Sequence, residues 1–106
     1  MAQYAVYVNR SPKTRQQYPF IIDIQSDLLD NYDSRVVMPL APMTAQNSQI
    51  RSLTPVISVS GQRYVVIVKS VTTVSKDKLK EADVVAVVPE IHADILSGLH
   101  GIVSGI

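Results

Sequence analysis

Two histidines and four closely spaced aspartates are the residues of this chain whose chemistry invites a test first. His92 and His100 lie about two helical turns apart, whereas paired zinc ligands on one helix sit roughly three to five residues from each other. They read as partly exposed residues of a helix surface, with no metal role. Asp23, Asp27, Asp30 and Asp33 lack the spacing of a calcium-binding loop and the glycine that its sharp turn needs. Asp23 alternates with Ile22 and Ile24, as an outward-facing strand residue does, and the other three read as turn formers. Gly61 stands apart from the other glycines, so no phosphate-cradling loop is present. The chain has no cysteine, which excludes a disulfide framework, a thiolate metal site and a thiol nucleophile.

Hydrolytic chemistry needs a nucleophile, a base and an orienting group brought together, and no such set is visible. Neither a cofactor nor a catalytic residue is expected. A formal net charge of +1 leaves no footprint for direct nucleic-acid binding, which works by neutralising several phosphates. Arg10, Lys13 and Arg15 make a modest basic loop, read as solvated. A binding protein is therefore the default class.

The elements that would carry such a surface can be read from composition and period. A chain of 106 residues suits one domain, residues 1–106, and 46% hydrophobic against 18% charged residues is a globular balance. Many valines and isoleucines favour strands. The longest apolar run, Val84 to Val88, is far short of the roughly 20 residues of a spanning helix. The start Met1-Ala2-Gln3-Tyr4 has no basic, apolar leader, so a soluble, cytoplasmic protein without membrane contact is expected. Strands are predicted over Tyr4–Val8, Phe20–Ile24 and Arg35–Leu40, forming a meander, with the third strand closed by Pro39 and Pro42. Thr44–Ser52 has no clear period and is a short helix or a loop. Val56–Val59 and Arg63–Val68 flank Gly61-Gln62, which suits a type II′ hairpin turn, and the second arm is apolar on both faces, as in a central strand. Val71–Val74 and Val84–Val88 are further strands, separated by the charged stretch Lys76–Glu81, which is a turn or one helical turn and reads as solvated surface.

From Pro89 the period changes. Ile91, Ile95, Leu99, Ile102 and Ile106 fall on one helical face, Pro89 suits the first helical position, and Glu90 and Asp94 suit the positive end of the helix dipole. Gly98, Gly101 and Gly105 together cost this helix on the order of 3 kcal/mol relative to alanine, so packing must hold it. The glycines read either as simple caps of a helix whose Ile106 packs on the protein's own sheet, or as clearance for a partner, and on the second reading the helix end is the working surface. Ser104 and Gly105 let a partner backbone approach, Ile106 offers about 1.5 to 3 kcal/mol of burial in a partner pocket, and an added tail would block that approach.

The segments "YAVYVN", "YPFIIDIQSDLLD", "SRVVMPLAP" and the terminal "SGI", in this order and spacing, resemble the CcdB family of plasmid-maintenance and chromosomal toxins that poison DNA gyrase. The resemblance runs over almost the whole chain, more weakly in Thr44–Ser52 and Val71–Val88. It implies a mainly β fold, an SH3-like barrel or antiparallel-sheet toxin fold shared with MazF-like toxins, with one C-terminal α-helix. It also implies a homodimer with the two helices near the twofold axis. Two partners follow: the gyrase A subunit, held on cleaved DNA, and an antitoxin whose disordered acidic C-terminal segment folds on binding. The gyrase-binding positions it implies are Ser104, Gly105 and Ile106 at the helix end, His100 and Val103 one turn back, and Leu28 and Leu29 in the acidic turn. Ser104 stands where the best-studied pattern has tryptophan, and Val74-Ser75 lacks the proline expected after the valine. The alternatives are an endoribonuclease toxin of the MazF type, which would need a basic groove, and a non-toxic relative that keeps antitoxin binding.

Overall fold

Runs of β-branched and aromatic residues bounded by turn formers become strands wherever a neighbour can complete their hydrogen bonds. In the computed structural model, which describes residues 2–29, 32–46 and 54–104, they build one seven-stranded sheet. The strands are β1 (Ala5–Val8), β2 (Phe20–Asp23), β3 (Ser34–Pro42), β4 (Val56–Val59), β5 (Gln62–Val66), β6 (Thr72–Ser75) and β7 (Val84–Val87). Their order is β4-β5-β3-β2-β1-β7, with β6 also paired to β3, and the pairings are antiparallel. A helix, α1 (His92–Ser104), follows a 3-10 turn at Pro89–Ile91. The architecture is a mainly antiparallel half-barrel with one C-terminal helix, and the expected meander is its β1-β2-β3 portion.

β3 makes the curl. Along one edge it pairs β6 through Ser34–Val37 and β5 through Leu40–Pro42, so two short strands share one long partner. The strand continues to Pro42 through both prolines, where closure at Leu40 was expected. The reason is where the missing N–H groups fall. The Pro39 carbonyl accepts from Ile67 N at 2.9 Å, so its nitrogen faces the same edge, at the junction where β5 gives way to β6. The opposite edge at Pro42 lies beyond the last β2 pairing, Phe20 with Leu40.

The hairpin between β4 and β5 is also shifted by one residue from expectation. Val59 faces Gln62, and the two turn residues are Ser60 at φ 52° and Gly61 at φ 81°. Positive φ at both positions is a type I′ turn, whose twist matches the flanking strands, in place of the type II′ turn expected at Gly61-Gln62. Nothing crowds Gly61, so only its backbone conformation requires glycine. Gly61→Ala should lower stability by about 1–2 kcal/mol, read from urea denaturation.

Because the sheet is curved, both of its faces are covered. On one face Val6, Ile22, Met38, Leu40 and Val66 pack with Ile91 and Ile95 at the start of the helix. On the other, Ala5, Tyr7 and Val37 pack with Leu79, from the charged Lys76–Glu81 stretch that was expected to be a solvated turn or single helical turn. That stretch consists of a 3-10 turn at Lys76–Lys78, buried Leu79, and the start of a second 3-10 turn at Glu81–Asp83.

The helix face follows expectation over Ile91, Ile95 and partly buried Leu99 and then departs from it. Ile102 is 44% exposed, and the buried positions are Ile95, Gly98 and Gly101, a spacing of three. Steps of three drift round the helix opposite to steps of four, so the small residues carry the buried line on. Gly98 and Gly101 thus face the protein's own body and do not stand clear for a partner. Ile106 and Gly105 lie outside the described residues, as does most of the Thr44–Ser52 segment. No helix among the described residues is long and apolar enough to cross a membrane.

Candidate functional site

Between β2 and β3 the chain forms a single 3-10 turn, Asp27–Leu29. Leu28 is 92% exposed, Leu29 44% and Tyr32, just beyond, 62%, so this end of the sheet presents a small apolar patch. The turn is held by polar groups. Ser26 Oγ accepts from Leu28 N at 3.2 Å, Asp27 Oδ1 accepts from Gln3 N at 3.1 Å, and Gln25 Nε2 donates to the Leu29 carbonyl at 2.9 Å.

Beneath the turn lies the largest departure from the sequence reading. Asp23 does not face solvent. It is fully buried and pairs with the equally buried Arg35, Nε to Oδ2 at 2.8 Å, while Gln25 N donates to Oδ1 at 3.0 Å. The alternation with Ile22 and Ile24 is real, but the opposite face belongs to the second core, so pointing away from the helix still means pointing inward. Burial pushes the Asp23 carboxyl above its ordinary value, against the opposing pull of Arg35 and the Gln25 N–H. Among the described residues no buried side-chain nitrogen or oxygen lacks a hydrogen-bond partner.

At the other candidate patch, the last described turn of α1, Val103 is 84% exposed and His100 is exposed too. Ser104 Oγ donates to the His100 carbonyl at 2.6 Å, satisfying one of the carbonyls that a helix end leaves open. Leu96 and Ile102 add further exposed apolar surface along the helix. The structure thus groups Leu28 with Leu29, and His100 with Val103 and Ser104, but no hydrogen bond or ion pair among the described residues joins the two patches.

The remaining candidates have structural occupations. His92 Nδ1 meets the Tyr4 hydroxyl, with the two rings edge to face at 5.5 Å. Tyr4 itself is buried with φ 67°, a left-handed residue that turns the chain into β1. No group of three metal-ligating side chains forms among the described residues. Arg10 of the basic loop pairs with Asp83 at 2.8 Å and holds that carboxyl below its ordinary value. Sequence reasoning missed Gln25, Asp23 and Arg35 as supports of the turn. The available signal was an aspartate inside the apolar run Phe20–Ile24 and an arginine opening the next strand.

Two solvent-exposed apolar patches, one on the Asp27–Leu29 turn and one along α1, mark the surface of this antiparallel half-barrel. The family model described as CcdB protein matches residues 3–105, and the chain belongs to the CcdB family. Members are gyrase-poisoning toxins of CcdA/CcdB toxin–antitoxin systems, and they poison gyrase without enzymatic chemistry of their own. A comparison with curated proteins found no match.

Proposed function

We propose that this toxin grips the gyrase A subunit through two patches. One is Leu28 and Leu29 on the turn; the other is the helix end, with His100, Val103, Ser104, Gly105 and Ile106. The observation that carries this reading is Leu28, 92% exposed on a turn whose backbone is fixed by Gln25, Ser26 and Asp27. A leucine so exposed adds almost nothing to its own fold, and burying it against a partner is worth about 1.5–3 kcal/mol. The protein forms and breaks no covalent bond: it binds gyrase that has opened its DNA and makes resealing unfavourable.

Two such patches on separate elements suit a homodimer with the helices near the twofold axis, and the exposed Leu96 and Ile102 supply apolar surface for that contact. The antitoxin, with a disordered acidic segment that folds as it binds, neutralises the toxin in the cytoplasm by covering these same patches. Ser104 lacks the area of an aromatic anchor, so the helix end depends on Val103 and Ile106 for burial. The test is a titration of purified gyrase A with the parent and with Leu28→Ala/Leu29→Ala. The double variant should bind at least tenfold more weakly, the counterpart of about 1.4 kcal/mol, with unchanged thermal unfolding. Equal affinity would remove the turn from the site.

A further inference from the structure

A single 3-10 turn lacks the repeated hydrogen bonds that hold a longer helix, so side chains displayed on one are ordinarily mobile. The Asp27–Leu29 turn is fastened from below instead. Gln25 is 7% exposed and uses both ends of its amide: Oε1 accepts from Val36 N of β3 at 3.1 Å, and Nε2 donates to the Leu29 carbonyl at 2.9 Å. That orientation is forced, because an N–H faces one end and a carbonyl the other. The Gln25 backbone is held as well, its N–H by Asp23 Oδ1 at 3.0 Å and its carbonyl by Arg35 Nη2 at 3.2 Å. Arg35 Nη2 also comes within 3.6 Å of Asp27 Oδ1 in the turn itself.

This arrangement is expensive for what it gives the fold. Two fully buried charges carry a desolvation cost that packed aliphatic residues of the same volume would avoid, so stability alone does not account for it. What it does give is a fixed path from β3, through one amide, to the backbone that presents Leu28 and Leu29. We propose that Gln25, backed by the Asp23–Arg35 pair, is a positioning residue that holds Leu28 and Leu29 in their binding geometry before gyrase A arrives. A turn ordered in advance loses less entropy on binding, which lowers the cost of association. The proposal rests on the reading of the two leucines as gyrase contacts.

The test is a double-mutant cycle read as affinity for purified gyrase A, with Gln25→Met introduced into the parent and into Leu28→Ala/Leu29→Ala. Gln25→Met, which removes both hydrogen bonds of the amide, should weaken binding about tenfold in the parent and less than twofold in the double-alanine background, where the turn has no leucines to present. Amide exchange at Leu29 should rise in Gln25→Met while the central strand amides of Val6 and Val65 stay protected. Gln25→Glu keeps the acceptor for Val36 N but sets a carboxylate against the Leu29 carbonyl, and should reproduce both results. Equal losses in the two backgrounds, or no loss in either, would overturn the positioning role. Should Leu28→Ala/Leu29→Ala itself bind as tightly as the parent, the contact reading has failed, and the proposal falls with it for that separate reason.

Discussion

Deletion of Gly105 and Ile106 is expected to abolish growth inhibition when the chain is produced in cells, while the shortened chain still folds. The argument begins with position 105, where glycine has no side chain to hold a partner backbone away. Position 106 then offers an isoleucine, worth about 1.5–3 kcal/mol if a partner pocket buries it, or roughly 10- to 100-fold in affinity. Ser104 cannot replace that area, since its hydroxyl is turned back to the His100 carbonyl. Loss of both terminal residues removes the close approach and the anchor together, and Val103 alone does not restore them. Colony counts after induction give the readout, with circular dichroism to verify the fold. A shortened chain that remained as toxic as the parent would place the gyrase contact elsewhere.

The second large effect concerns stability. Asp23→Ala should cost about 3–5 kcal/mol, because it removes the carboxylate facing a fully buried guanidinium and leaves that charge in the interior. Domains of this size are stable by only about 5–15 kcal/mol, so the variant should unfold at far lower urea. Replacing both partners gives the opposite expectation: Asp23→Leu/Arg35→Met should be near neutral or stabilising, since the desolvation cost disappears with the charges. A double variant that folds well yet binds gyrase weakly would separate what the pair does for the turn from what it does for the sheet. A cost below about 1 kcal/mol for Asp23→Ala would mean that the Arg35 charge is compensated from elsewhere.

The order of strands and the terminal helix were readable because each element has its own period and its own punctuation. Gly61 marked the hairpin, whose turn residues are Ser60 and Gly61, and Pro89 marked the 3-10 turn that leads into α1 at His92. The errors share a physical origin, since they depend on what lies beside an element in space. Pro39 ends a strand only if its missing N–H is needed, and here it meets the gap between β5 and β6. Alternation assigned Asp23 to the face opposite Ile22 correctly, but whether that face is wet depends on Leu79, far along the chain in a charged stretch that reads as surface. Ile102 fits the helical face by spacing alone, yet the buried line continues from Ile95 in steps of three through Gly98 and Gly101. Leu28 and Leu29 entered the candidate site only through resemblance. A pair of leucines after an acidic cluster has no periodicity that separates a displayed pair from a buried one, and their exposure became visible only with the turn in place.

The most direct test of the central claim, that a bound protein surface and no chemistry produces the poisoning, uses purified components. Gyrase, supercoiled DNA and ATP are incubated with the chain, and the products are resolved after denaturation of the protein. The expected result is linear DNA that accumulates with the parent chain, and that is lost with both the chain lacking Gly105 and Ile106 and Leu28→Ala/Leu29→Ala. Linear DNA formed equally well by those two variants would contradict the assigned surface, and cleavage of added RNA with gyrase unaffected would contradict the mode of action itself.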